Sequence, residues 1–242
     1  VFLNVTADDP AELVVTPEQL AAHRALVTQA DRLFGARHFV HCDFLFLLSD
    51  SLGRIGLEHQ QSSENGMCSP YFTKWAKTSA RRSLLLPREY THSWNGRCRR
   101  VADLWTPNTN TPTRGSLPWP CEGQTEFWCN VLATHSGRVP VADMREPLAG
   151  LAASLDGKSG RAWRNLQDTR NQNVMADREA SVDWRDWQRE RGDCDVERVL
   201  VWPEVDMLIR ETLSGTRSLG ALCARLLRRG AGPHRALDLR FR

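Results

Sequence analysis

The run Leu84-Leu85-Leu86-Pro87-Arg88-Glu89-Tyr90-Thr91-His92 constrains this chain more than any other stretch. Three leucines followed by a proline and then charged and aromatic residues predict a helix with the proline in its first turn, where its missing N–H costs nothing. On such a helix Arg88 and His92 lie one turn apart on one face, with Glu89 beside them.

That spacing has a chemical meaning. A histidine at both i and i+4 holds one Zn²⁺ ion while the glutamate between them polarises the metal-bound water, which is the HExxH signature of zinc peptidases. Here arginine stands at the first ligand position. Arg88 has no lone pair to give, stays protonated and repels a cation. Taken alone, Arg-Glu-x-x-His reads as an exposed helix with charged residues, so the reading depends on the sequence around it.

Further blocks occur along the chain. Thr16-Pro17-Glu18-Gln19-Leu20 and Ala30-Asp31-Arg32-Leu33-Phe34-Gly35 come first, then Gly56-Leu57-Glu58-His59 and Ser62-Ser63-Glu64-Asn65. The motif continues as Ser93-Trp94-Asn95-Gly96 and is followed by Ala102-Asp103-Leu104-Trp105 and Glu122-Gly123-Gln124-Thr125. Trp163-Arg164-Asn165-Leu166, Trp184-Arg185-Asp186-Trp187 and Asp206-Met207-Leu208-Ile209-Arg210-Glu211 complete the set. In this order the blocks resemble the glycyl aminopeptidase family of zinc metallopeptidases, over about Thr16 to Leu226.

The resemblance implies a thermolysin-like (gluzincin) catalytic domain of α+β class, mainly α with a small strand component. It implies a Zn²⁺ site in which His92 is the second histidine ligand, Glu122 the glutamate ligand and Glu89 the general base. Glu126, four residues after Glu122, shares its helix face and is the rival ligand. By the same resemblance Glu58 is the substrate-binding residue that pairs with a peptide's free α-amine. His59 is expected to pack or to form a hydrogen bond, and not to ligate metal. Where the family usually shows a pair of tyrosines, this chain has Asp193-Cys194-Asp195-Val196, so a tyrosine oxyanion donor is missing.

Two tyrosines against nine tryptophans and seven cysteines fit a degraded copy of such a domain, with Cys42, Cys121 and Cys194 at positions where the family commonly has an aromatic. An odd cysteine count without CxxC spacing, and no signal peptide, argue for free buried thiols and against a disulfide framework. A net charge of +3 spread over the chain gives no footprint for nucleic acid. No apolar stretch approaches the roughly 20 residues of a membrane span, so a soluble protein is expected. The expected partner is a peptide substrate. The expected organisation is a catalytic domain over 1–229 and an unstructured tail over 230–242, as a fragment without the family's N-terminal β domain and PDZ-like domain.

The remaining elements follow from local signals. Thr16 and Pro17 open a helix with Leu20, Ala25, Leu26, Ala30 and Leu33 on its apolar positions and a stop at Gly35. Phe44–Leu48 reads as a strand leading directly to Gly56–His59, and Val1–Val5 as another. Residues 108–115 form a turn-rich loop, and the helix bearing Glu122 and Glu126 runs to Gly137. Amphipathic helices are predicted over 203–213, with Val205, Leu208 and Ile209 inward, and over 218–228. Two functions compete: a zinc-dependent aminopeptidase impaired by Arg88, and a metal-free pseudopeptidase in which Arg88 pairs with Glu122 or Glu89 and the cleft binds peptide N-termini.

Overall fold

The alternation of side chains along β2 (Asp43–Leu48) organises the sheet. Phe44, Phe46 and Leu48 are buried on one face, whereas Leu45 on the other is 52% exposed. The computed structural model describes residues 1–75, 84–114, 117–175 and 191–228. In it β1 (Phe2–Ala7), β2, β3 (Ile55–Glu58) and β4 (Ser62–Met67) form one sheet in the order β1-β2-β4-β3. β2 runs parallel to both β1 and β4, and β3 is an antiparallel edge strand on β4. Gly56–Glu58 thus belongs to its own edge strand and does not continue β2 directly.

α1 (Pro17–Phe34) begins and ends where expected, and a capping box fixes its start. The Thr16 hydroxyl accepts from Gln19 N and the Gln19 side chain accepts from Thr16 N, with Gly35 closing the helix in the left-handed region. Its buried face differs from the expected one: Gln19, His23, Leu26, Ala30 and Phe34 face inward, while Leu20 is 40% exposed. The reason is polar. Gln19 Nε2 donates to Phe72 O at 2.7 Å, and the His23 ring is held between Gln19 O at 2.7 Å and the Tyr71 hydroxyl at 3.3 Å. Buried polar groups that find such partners compete successfully with a leucine for the inner face.

α2 (Leu85–Trp94) carries the motif. It begins two residues before Pro87, which therefore lies in the first turn, where the absent N–H is tolerated. Trp94 anchors its end: the indole is fully buried, stacks on Phe34 at 4.7 Å and donates to Ala36 O at 2.7 Å. α2 packs against α1 and against β3 and β4.

The later helices are α3 (Pro118–His135), α4 (Val141–Asp156), α5 (Leu166–Met175), α6 (Arg191–Thr212) and α7 (Leu219–Arg228). The helix expected to begin at 203 instead runs through Pro203 from Arg191, and Leu208 is 54% exposed, not inward. The architecture is mixed and more helical than strand, as anticipated.

Two compact units divide the described chain. One comprises Val1–Arg99, Trp128–Met144 and α7; the other comprises Arg100–Phe127 and Arg145–Ser218. In the second, α5 packs on α6, and Gly123 of α3 meets α6 so closely that a Cβ would stand 2.8 Å from Arg198 Cβ and 2.9 Å from Trp202 Nε1. Among the described residues no helix is long and apolar enough to cross a membrane. The tail over 230–242 lies outside the described residues.

Candidate active site

α2 turns its motif inward. Glu89 and His92 are each 1% exposed, and the Arg88 side chain is partly open to solvent. Arg88 Nη1 donates to Glu89 Oε1 at 2.7 Å, a charge-assisted bond between adjacent residues. The second oxygen, Oε2, is buried and meets no donor among the described residues. Burial raises the proton affinity of Glu89 above the ordinary carboxylate value, against the opposing pull of Arg88 and His92, and the nearby Glu58 charge pushes the same way as burial.

His92 is oriented by the helix end. Its Nδ1 lies 3.1 Å from Asn95 O, and a carbonyl can only accept, so Nδ1 carries the proton. When the ring is neutral, Nε2 is then the lone-pair nitrogen, the orientation in which an imidazole ligates a metal.

The edge strand β3 covers Glu89. A Cβ on Gly56 would stand 2.5 Å from Glu89 Oε1 and 2.9 Å from Leu85 Cδ1, so only glycine lets the strand approach the carboxylate this closely. At the end of the same strand Glu58 is half-buried and accepts from Arg97 Nη2 at 3.1 Å. Sequence reasoning missed Arg97. Its only signal was a place two residues beyond Asn95, in a turn whose geometry the sequence left open. His59 does not pack: it is exposed, and its N–H closes the β3–β4 hairpin on Ser62 O at 2.9 Å. Asn65, from the block after it, is wholly buried and donates to Leu45 O, Ser63 O and the Ser63 hydroxyl, a structural duty within the sheet.

Glu89, His92 and Glu58 are thus brought together in the first unit. Glu122 and Glu126 lie half-buried on the part of α3 that belongs to the second. Among the described residues no group of three His, Cys, Asp or Glu side chains is placed to hold a metal ion. The side chains of Asp193, Cys194, Asp195 and Val196 are outside the description. The described cysteines are not joined in disulfides, and Cys42, Cys121, Cys129 and Cys223 are buried.

The fold is mixed α/β and has a counterpart among solved structures. It is similar to the structure of an aminopeptidase N family protein from Idiomarina loihiensis, with a TM-score of 0.75 and 15% sequence identity over 94% of this chain and 38% of that one. The chain therefore spans little more than a third of that protein's length. Residues 81–200, which include the motif helix, match the family model of M61 glycyl aminopeptidase. Over those residues the chain is similar to that family. No curated protein matches it.

Proposed function

We propose that this chain is a peptidase-family domain that binds peptide N-termini without hydrolysing them. The observation that carries this reading is the Arg88–Glu89 pair at 2.7 Å. A zinc ion at a site of the family's kind would supply an activated water, and Glu89 stands at the position from which a carboxylate would accept its proton. The residues at hand do not fit that ion: a guanidinium without lone pairs occupies the first ligand position and is bonded to the general base. An internal cation here meets a carboxylate that would otherwise be buried unpaired. With Glu89 so engaged, the peptide contact left is Glu58 at the end of the edge strand, facing an α-ammonium group.

A second reading, the impaired zinc-dependent aminopeptidase, is favoured by one observation. The Nδ1 contact of His92 with Asn95 O presents Nε2 as a metal ligand would require.

The test is the zinc content of the purified chain by elemental mass spectrometry, beside Arg88→His. Zinc is expected only in the variant. Near-stoichiometric zinc in the parent, with release of p-nitroaniline from glycyl or alanyl p-nitroanilide, would establish the aminopeptidase reading instead. A folded Arg88→His chain without zinc would remove His92 and Glu122 as the ligand set.

A further inference from the structure

We propose that Arg97 competes with the peptide's α-ammonium group for Glu58, and so sets how strongly the site distinguishes a free N-terminus from a blocked one. The inference rests on the amine-binding reading of Glu58 given above.

Both partners are presented by rigid backbone. Glu58 is the last residue of β3, paired with Ser63 of β4, and the adjacent hairpin is closed by His59 N on Ser62 O at 2.9 Å. Arg97 sits in a turn fastened to the end of α2. Gly96 N donates to Arg99 O at 2.8 Å, Arg97 N to His92 O at 3.1 Å, Cys98 N to Ser93 O at 3.0 Å and Arg99 N to Trp94 O at 2.9 Å. The ion pair therefore forms without ordering a loop.

The pair is also reachable and thinly held. The two side chains are 30% and 24% exposed, so an incoming cation has access to the carboxylate. Of the guanidinium's five donors, Nη2 makes the contact with Glu58 Oε1 at 3.1 Å, while Nε is buried without an acceptor among the described residues. An ammonium group taking over Glu58 replaces one charge-assisted bond by another of the same kind. Glu89 does not compete as an acceptor for that amine, because its side chain is buried, with Oε1 engaged by Arg88 beneath Gly56 and Oε2 closed off from solvent. The outcome at Glu58 is thus a contest between a tethered guanidinium and a peptide ammonium for one carboxylate.

The experiment measures binding of triglycine amide and of its N-acetyl form to the full chain by calorimetry at fixed ionic strength. Arg97→Gln is expected to strengthen binding of the free-amine peptide by about fivefold, the scale of one partly exposed ion pair, and to leave the acetylated peptide unchanged. Arg97→Lys, which keeps the charge, is expected to stay near the parent. Unchanged or weaker free-amine binding by folded Arg97→Gln overturns the inference. Glu58→Gln separates the two readings. If it leaves free-amine affinity at the parent value, amine recognition by Glu58 itself falls; if it removes the amine preference while Arg97→Gln changes nothing, only the role of Arg97 falls. The unmodified chain gives a second measurement. Its Arg97 Nε–H NMR signal is expected to move on adding the free-amine peptide but not the acetylated one, and a free-amine complex with an unmoved signal overturns the inference.

Discussion

Gly56 lies so close to Glu89 that a Cβ on the glycine would stand 2.5 Å from the carboxylate oxygen. The edge strand β3 and the motif carboxylate are therefore one packing unit, and a methyl group inserted between them must displace one or the other. Gly56→Ala is expected to lower stability by about 1–3 kcal/mol, the usual cost of overpacking. Shortening the carboxylate in a Gly56→Ala, Glu89→Asp double variant should recover part of the loss. Urea denaturation of the four chains checks this, and additive losses would show that the contact is not the cause.

Arg88 and Glu89 invite the same kind of cycle. Removing the guanidinium in Arg88→Gln leaves a buried carboxylate without its ion pair, which is expected to cost about 1–3 kcal/mol. Arg88→Gln with Glu89→Gln removes both charges and should be more stable than Arg88→Gln alone. A double variant less stable than that single one would mean the pair does not meet a buried charge.

What the sequence disclosed about this fold and site follows the range of the interactions involved. The helix start at Thr16 and Pro17 and the spacing of Glu89 and His92 depend on residues close in sequence, so they could be read directly. The inner face of α1 could not be read. Gln19 and His23 displace Leu20 because Phe72 O and the Tyr71 hydroxyl, about fifty residues away, offer them partners. Glu58 was found through a family block, but Arg97 was not, since their ion pair joins residues 39 apart across a turn of unpredicted geometry. The exposed Leu208 marks a similar limit: periodicity placed it inward, while α6 runs on through Pro203 from Arg191.

Glu12 predicts a loss of stability in acid. Its buried carboxylate accepts from the amides of Tyr71 at 2.8 Å, Phe72 at 2.7 Å and Thr73 at 3.2 Å, and from the Thr73 hydroxyl. Burial alone would raise its proton affinity, but the Thr73 hydroxyl and the three amides outweigh burial and hold the pKa below the ordinary value. A carboxylate with a depressed folded pKa contributes stability that is complete above its unfolded value, about 4.3, and is lost as pH falls through the folded one. Glu12→Gln is expected to cost about 1–3 kcal/mol at pH 7 and progressively less below pH 4. Urea midpoints of both chains from pH 3 to 7 check it, and a constant gap would show that ionisation of Glu12 plays no part.

His23 gives a pH dependence with a different origin. Burial, reinforced by the positive charge of Arg138, pushes its pKa down to about 3, against the favourable contact with Gln19 O. The ring is therefore neutral, donating from Nδ1 to Gln19 O and accepting at Nε2 from the Tyr71 hydroxyl, which in turn accepts from Arg138. The unfolded histidine titrates near 6.5, so between about pH 3 and 6.5 the unfolded chain binds a proton that the folded chain refuses. Stability accordingly rises with pH across that window, by up to about 1.4 kcal/mol per pH unit for this one group. In His23→Asn that proton is absent from both states. The variant should be less stable than the parent at pH 7, where it loses the aromatic packing against Phe72 and Trp75, and the gap should narrow steadily towards pH 4. His38, which burial pushes down to about 4, keeps a residual slope of the same sign in both proteins. Equal slopes in parent and variant between pH 4 and 6.5 would mean that His23 is protonated in the folded chain, and with it that the Arg138–Tyr71–His23 relay runs in the opposite sense.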